Sequence, residues 1–168
     1  MQTLPIRSTS SISTCTTLNL RRASRAASQF LERYLEPVGL HASQFGILRH
    51  VSNAGSIAMT QLADSMSLDR TTLTRNLQIL TRDGLVSVDC GSDKRVREIV
   101  LTDKGRSVLA QAIPLWEAAE VELEKRLGPG KREALLSYIE AFFILHQVIA
   151  VLHILRVFVI FRSGMILY

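Results

Sequence analysis

The fold is decided by residues 59–88, which read MTQLADSMSLDRTTLTRNLQILTRDGLVSV. The spacing of the apolar residues predicts a short helix over residues 60–66 and a longer helix that ends at Gly84. Between them, residues 67–68 leave room only for a tight connection. Asp69 then serves as the N-cap of the longer helix, because its carboxylate accepts hydrogen bonds from backbone N–H groups that the first turn leaves unpaired. Two helices joined in this way predict a helix-turn-helix unit.

The longer helix has two contrasting faces. Its apolar stripe, which we expect to rest on the core, consists of Leu73, Leu77 and Leu80. The opposite face carries hydrogen-bond donors and no carboxylate; its members are Arg70, Thr71, Thr74, Arg75, Gln78 and Arg82, with Thr72 and Asn76 nearby. Such a helix fits the major groove of DNA, where arginine reads guanine edges and glutamine reads adenine edges. The open alternative is an ordinary helical domain whose solvated face happens to be basic.

A β-hairpin is predicted directly after this helix. Residues 85–89 (LVSVD) and 96–101 (VREIVL) read as two strands of matched length, and the turn at 91–95 has a basic tip. A hairpin in this position is the wing of a winged helix-turn-helix domain, and its tip can reach phosphates or the adjacent minor groove. The predicted fold class is therefore mainly α, of the α+β type, with a two-stranded wing.

Further helices flank this unit. Helical patterns cover residues 18–36, 43–53 and 103–127, and a last helix starts at Lys131. Pro114 lies inside the third of these, where it should kink or interrupt the helix. The first and last helices carry more apolar surface than a small winged domain can cover alone, so we expect them to form a dimer interface.

The charge distribution points to a polyanionic partner. The chain has 168 residues, enough for one domain with helical extensions, and its net charge is +5. Residues 70–106 carry eight basic and five acidic side chains, whereas residues 107–147 carry four basic and six acidic ones. One face of the molecule is therefore suited to a polyanion, although charge alone does not distinguish nucleic acid from a membrane surface.

The sequence offers little support for an enzyme. Its four histidines are scattered, and the motifs of zinc proteases, serine hydrolases and phosphate-binding loops are missing from it. Two cysteines, Cys15 and Cys90, are too few for a disulfide-rich scaffold or a four-cysteine zinc site. We expect no catalytic residue, no metal and no cofactor, and a cytoplasmic location.

Both ends of the chain differ from the interior. Residues 1–17 are rich in serine and threonine and predict a disordered arm. Residues 148–168 form an apolar tail that includes VIAVLHILRVFVIF. Three interpretations of this tail stay open: a helix extension in a dimer core, a membrane-seeking segment, or a non-native end from a shifted reading frame. Because Arg156 interrupts it, the tail is a poor transmembrane candidate. The rival function, a membrane-associated interaction protein, rests on this tail alone.

Three stretches carry a resemblance to a known family: GLHASQFGILRHV (39–51), residues 59–88, and GSDKRVREIVLTDKG (91–105). They resemble the multiple-antibiotic-resistance regulator (MarR) family of bacterial transcription factors over residues 18–147. The resemblance implies a DNA-binding core at about 43–106 between N- and C-terminal dimerisation helices. It also implies a homodimeric regulator, either a repressor or an activator, that binds near-palindromic double-stranded operator DNA; repression is the expected mode. Small phenolic or aromatic ligands, or oxidants, would release such a regulator from DNA.

The resemblance also assigns roles to individual residues. The recognition-helix positions that face the groove match Arg70, Thr71, Thr72, Thr74, Arg75 and Gln78. The wing positions match Arg95 and Arg97, and Asp93 matches an aspartate that holds a wing arginine; Asp93 is equally a favourable turn residue after Gly-Ser. His41 stands where the family often has a capping threonine or serine, so we expect the cap of that helix to have moved to Ser43.

Cys15 is a candidate redox sensor, because some members of the family that the chain resembles sense peroxides through an N-terminal cysteine. A sensing thiol must be exposed and near a cation, a helix N-terminus or hydroxyl donors. The alternatives are that Cys15 has no role, and that regulation uses a small aromatic ligand bound between the dimer helices and the winged domain.

Overall fold

The computed structural model describes residues 14–90, 97–145 and 148. The chain divides into two compact units, residues 1–119 and 120–168. The elements of the first unit, in chain order, are α1 (Thr16–Leu35), a 3₁₀ turn (Glu36–Val38), α2 (Ala42–Ala54), β1 (Ser56–Ala58), α3 (Met59–Ser65), α4 (Arg70–Arg82), β2 (Val86–Cys90), β3 (Arg97–Leu101) and the greater part of α5 (Asp103–Leu127). The predicted winged-helix fold, mainly α with a small sheet, is confirmed.

The sheet has three antiparallel strands in the order β1-β3-β2, one more than the predicted two-stranded wing. In the hairpin, Val86 lies opposite Leu101 and Cys90 lies opposite Arg97. The additional strand, β1, pairs with the other edge of β3, and the Ser56 hydroxyl donates a hydrogen bond to Glu98 Oε2 at 2.8 Å. Because β1 has only three residues, it is too short to show the alternation that identifies a strand in a sequence.

The core of the first unit lies where α2, α3 and α4 pack against the sheet. The predicted stripe of α4 is confirmed, since Leu73, Leu77 and Leu80 are all buried. Other fully buried side chains come from α1, α2, α3, β2 and β3: Leu35, Ile47, Leu48, Val51, Leu62, Val86 and Ile99. Burying one such side chain contributes about 1.5–3 kcal/mol, so these contacts hold the helix-turn-helix together.

Thr102 connects the wing to α5. Its hydroxyl accepts a hydrogen bond from the backbone N–H of Gly105 at 2.9 Å and donates one to the carbonyl of Gly84 at 2.7 Å. Gly105 is buried, and a Cβ atom at this position would lie 1.9 Å from the carbonyl oxygen of Leu85. Only a glycine therefore allows α5 to approach the start of the wing so closely.

Two predictions about helix boundaries need correction. α1 begins at Thr16, so the last two residues of the predicted arm are helical. α5 runs through Pro114 as one helix, so the predicted local break at this residue is wrong, while a kink there stays a prediction. The rest of the predicted arm up to residue 13, and the apolar tail apart from Val148, lie outside the described residues.

The second unit contains the end of α5 and a helix over residues 131–145, here called α6. Arg132 of α6 forms an ion pair with Glu120 of α5, at 2.6 Å between Nη2 and Oε2. α6 is amphipathic: its polar positions include Glu133, Ser137 and Glu140. Its exposed apolar side chains are Leu135, Leu136, Tyr138, Ile139, Phe142, Phe143, Ile144 and Leu145. Within its own unit, α6 thus presents a large uncovered apolar surface.

Replacing Gly105 with alanine should lower the free energy of unfolding by about 1–3 kcal/mol, because the added Cβ meets backbone atoms that cannot move aside. Gly46→Ala is the matched control: its Cβ would lie 3.2 Å from Cε of Met66, the end of a flexible side chain. Urea unfolding of both variants tests the expectation. Equal stability of the Gly105→Ala variant and the unchanged protein would contradict it.

Candidate nucleic-acid interface

Asp69 fixes the start of α4. Its carboxylate accepts hydrogen bonds from the backbone N–H of Thr72 at 2.9 Å and from the Thr72 hydroxyl at 2.7 Å. These two bonds, led by the one from the hydroxyl, hold the pKa of the Asp69 carboxyl below its usual value of 3.8. The predicted N-cap is thereby confirmed, and α4 begins at a defined residue.

The outward face of α4 is formed by the six predicted recognition residues. All six are exposed and line one depression open to solvent: Arg70, Thr71, Thr72, Thr74, Arg75 and Gln78. Within the described ranges, Arg70 and Arg75 have neither an ion pair nor a hydrogen bond. Each guanidinium therefore offers its planar set of donors and its permanent charge to a group outside the protein. The structure brings together the residues that the sequence grouped; their contact with DNA stays a prediction.

Other polar residues of α4 are used within the protein. Arg82 Nε donates a hydrogen bond to Asp83 Oδ1 at 2.9 Å. The Asn76 side chain bonds to the carbonyl of Thr72 and to the hydroxyl of Ser43 on α2. The Thr72 hydroxyl donates its proton in the hydrogen bond to Asp69. Towards a group outside the protein, this hydroxyl can therefore only accept a hydrogen bond.

The wing is described only in part. Arg97 is exposed at the first position of β3, opposite Cys90. The other two predicted wing residues, Asp93 and Arg95, lie in residues 91–96, outside the described residues. One wing arginine is therefore placed in the last residue pair of the hairpin, next to residues 91–96.

The cap of α2 differs from the expectation that Ser43 supplies it. The N-cap is His41, whose backbone N–H donates to Gln44 Oε1 at 2.9 Å, and the N–H of Ala42 donates to Glu32 Oε1 of α1 at 3.3 Å. Ser43 is the second residue of α2 and donates to Asn76 instead. The sequence does contain a signal for the N-cap at His41, because a glutamine three residues after the N-cap is half of a capping box. No local pattern predicts the hydrogen bond from Ala42 to Glu32, because Glu32 lies nine residues before the N-cap.

Cys15 occupies the N-cap position of α1 and is exposed. Its backbone carbonyl accepts hydrogen bonds from the N–H of Asn19 at 3.1 Å and from Asn19 Nδ2 at 3.2 Å. The thiol is thus accessible at a helix start, as the sequence suggested, whereas the side chain of Cys90 is outside the description. A redox role for Cys15 stays a prediction.

The described residues also bear on metal binding and on membrane insertion. Among the residues with described placement, no three His, Cys, Asp or Glu side chains cluster in a way that could hold a metal ion. Over the same residues, no helix combines the length and the apolar character needed to cross a membrane.

Comparison with known proteins places this geometry in a family. A family model described as MarR family matches residues 38–96, from the end of the 3₁₀ turn to the wing. The structure of the transcriptional regulator MosR from Mycobacterium tuberculosis in complex with DNA is 39% identical in sequence. That similarity covers 77% of this chain and 97% of MosR, with a TM-score of 0.67.

Two more similar proteins are also transcriptional regulators. The transcriptional repressor CouR, bound to a 23-mer DNA duplex, is 29% identical over 76% of this chain and 92% of its own, with a TM-score of 0.70. The HTH-type transcriptional regulator YwoH from Bacillus subtilis, itself uncharacterized, is 28% identical over 83 residues. This last match covers 49% of the present chain and 61% of YwoH.

Replacing Asp69 with alanine should lower the Tm at neutral pH, because the first turn of α4 loses its cap, whereas Asp69→Asn keeps a cap oxygen and should lower the Tm less. The pKa of Asp69 is lower in the folded chain than its usual value of 3.8. The charged carboxylate therefore stabilises the fold at any pH above 3.8, and this stabilisation is lost as the pH falls through the pKa of the folded chain. The gap in Tm between the unchanged protein and Asp69→Asn should therefore close on acidification below 3.8. A gap that stays constant with pH would show that the charge is irrelevant.

Proposed function

The chain belongs to the MarR family of winged-helix transcription regulators, and we propose that it binds operator DNA through the outward face of α4. The observation that carries this proposal is the placement of Arg70 and Arg75 on an exposed helix face without a carboxylate, where neither guanidinium group has a partner among the described residues. A helix of 13 residues is about 20 Å long, which suits the major groove.

The proposed roles follow from the chemistry of the side chains. Arg75 and Gln78 lie along the exposed face and read base edges, because bidentate donors recognise guanine and bidentate amides recognise adenine. Arg70, at the start of the helix, and the hydroxyl groups of Thr71 and Thr74 contact phosphates or base edges. The Thr72 hydroxyl, whose proton is bonded to Asp69, accepts a hydrogen bond from a base edge. In the wing, Arg97 and Arg95 contact the phosphate backbone, and Asp93 orients one of them.

The regulator acts as a homodimer. The first part of α1, residues 16–27, is almost entirely exposed, and an isolated helix of this length is marginal in water. α6 exposes its own row of large apolar side chains, with Phe142 and Phe143 each about half exposed. A second copy of the chain would cover both surfaces. Its two-fold symmetry would place the recognition helices on the half-sites of a near-palindromic operator, about 34 Å apart.

Repression with release by a small molecule is the proposed mode of regulation. The solved relative CouR is itself called a transcriptional repressor. A small phenolic or aromatic ligand, or oxidation at the exposed Cys15, would change the spacing of the two recognition helices and so release the DNA. Such a regulator acts in the cytoplasm, where the DNA is.

Arg75→Ala should weaken operator binding by about 1–3 kcal/mol and relax the choice of base at one position. Arg97→Ala should weaken binding to all sequences alike. It should also reduce the slope of log affinity against log salt concentration by about one, the amount that one lost phosphate contact accounts for. Fluorescence anisotropy at several salt concentrations separates these effects. Lys125→Ala, which removes one charge from α5, is the control and should change neither quantity. Equal affinity of the unchanged protein for operator and random DNA would contradict the proposed function.

Leu136→Asp should weaken the dimer at least tenfold, because it introduces a charge into the apolar row of α6 that a second copy would bury. Ser137→Asp adds the same charge to the polar side of the same helix and serves as the control. Sedimentation at micromolar concentration, with helicity checked by circular dichroism, measures both. A monomeric unchanged protein with native helicity would contradict the dimer.

A further inference from the structure

A short series of hydrogen bonds joins the start of α2 to the recognition helix α4. The Ser43 hydroxyl donates to Asn76 Oδ1 at 3.1 Å, and Asn76 Nδ2 donates to the carbonyl of Thr72 at 2.9 Å. Ser43 and Asn76 are 33 residues apart in the sequence. The pair therefore connects two helices that the chain itself links only through β1 and α3.

The orientation of the Asn76 amide is determined by its partners. A backbone carbonyl can only accept, so the amide nitrogen has to face Thr72. The amide oxygen then faces Ser43, whose hydroxyl has to donate. The side chain is held at both ends, and its position on α4 is fixed relative to α2.

The same series extends in both directions. On α4, Thr72 bonds through its N–H and its hydroxyl to the cap carboxylate of Asp69. On the other side, the first turn of α2, which carries Ser43, is held by Glu32 of α1 through the N–H of Ala42. Polar contacts thus run from α1 through α2 to the first turns of α4.

These hydrogen bonds restrict the rotation of α4 about its axis, which the leucine stripe does not fix. The contacts of Leu73, Leu77 and Leu80 bury one face of α4, but apolar burial has no strong directional preference. A rotation of α4 by a few degrees about its axis would leave these side chains buried but would move every side chain on the exposed face. A hydrogen bond with defined donor and acceptor resists such a rotation.

We propose that Ser43 and Asn76 are positioning residues for DNA recognition: their hydrogen bond sets the rotation of α4 against α2 and thereby aims Arg70 and Arg75. This inference rests on the proposed DNA-binding function. The pair is accessible to water, so its loss exchanges one hydrogen bond for others with solvent and changes the stability of the fold little. Its effect appears when α4 has to match the spacing of base edges.

The test uses the full chain with Ser43→Ala, Asn76→Ala and the double variant. Affinity is measured for the operator and for a random duplex of equal length, together with the Tm. Each single variant should bind the operator roughly threefold to tenfold more weakly, and the double variant no more weakly than the worse single one. Affinity for random DNA should stay within about twofold, because phosphate contacts tolerate a small rotation. Ser43→Thr retains the hydroxyl and should restore operator binding.

Three results would overturn the inference. Additive losses in the double variant would show that the two side chains act independently. A loss with Asn76→Ala alone, accompanied by a changed base preference at one position, would make Asn76 a direct base contact. Equal losses on operator and random DNA, with a lowered Tm, would make the pair merely structural. If the unchanged protein does not discriminate operator from random DNA, the proposed function itself fails, and this inference with it.

Discussion

Burial of the leucine stripe of α4 is the constraint on which the rest of the structure depends. Leu73, Leu77 and Leu80 occupy positions separated by four and three residues, so they line one side of the helix and commit it to the core. All the arginines and most of the hydroxyl groups of α4 are then directed to solvent. The side of α4 that faces solvent is therefore a consequence of where the leucines lie.

The carboxylates near α4 lie at the ends of the helix, away from the exposed face that would contact a polyanion. Asp69 precedes the helix and is engaged by Thr72, while Asp83 follows it and is engaged by Arg82. A carboxylate at the helix start is also favourable for the helix dipole. The two carboxylates therefore lie at the ends of the helix, each bonded to a neighbouring side chain, and the exposed middle of the helix carries positive charge only.

Much of this architecture was predictable, because it is encoded over short distances in the sequence. The stripe of α4, its cap at Asp69 and the hairpin strands all depend on residues within a few positions of one another. The features that sequence reasoning missed depend on distant residues. β1 exists because β3 offers a free edge 42 residues away, and Glu32 holds the start of α2 from another helix. The bond between Ser43 and Asn76 belongs to the same class, since nothing local distinguishes either residue.

The most direct test of the account is selection of binding sites from a random DNA library by the full chain. We predict enrichment of one inverted repeat whose half-sites lie about one helical turn apart, because two copies of α4 would read adjacent major grooves on one side of the duplex. The same selection with Arg75→Ala should return a repeat that has lost preference at one position in each half-site. Recovery of unselected sequences by the unchanged chain, with binding that depends on salt alone, would contradict the claim that the exposed face of α4 reads DNA.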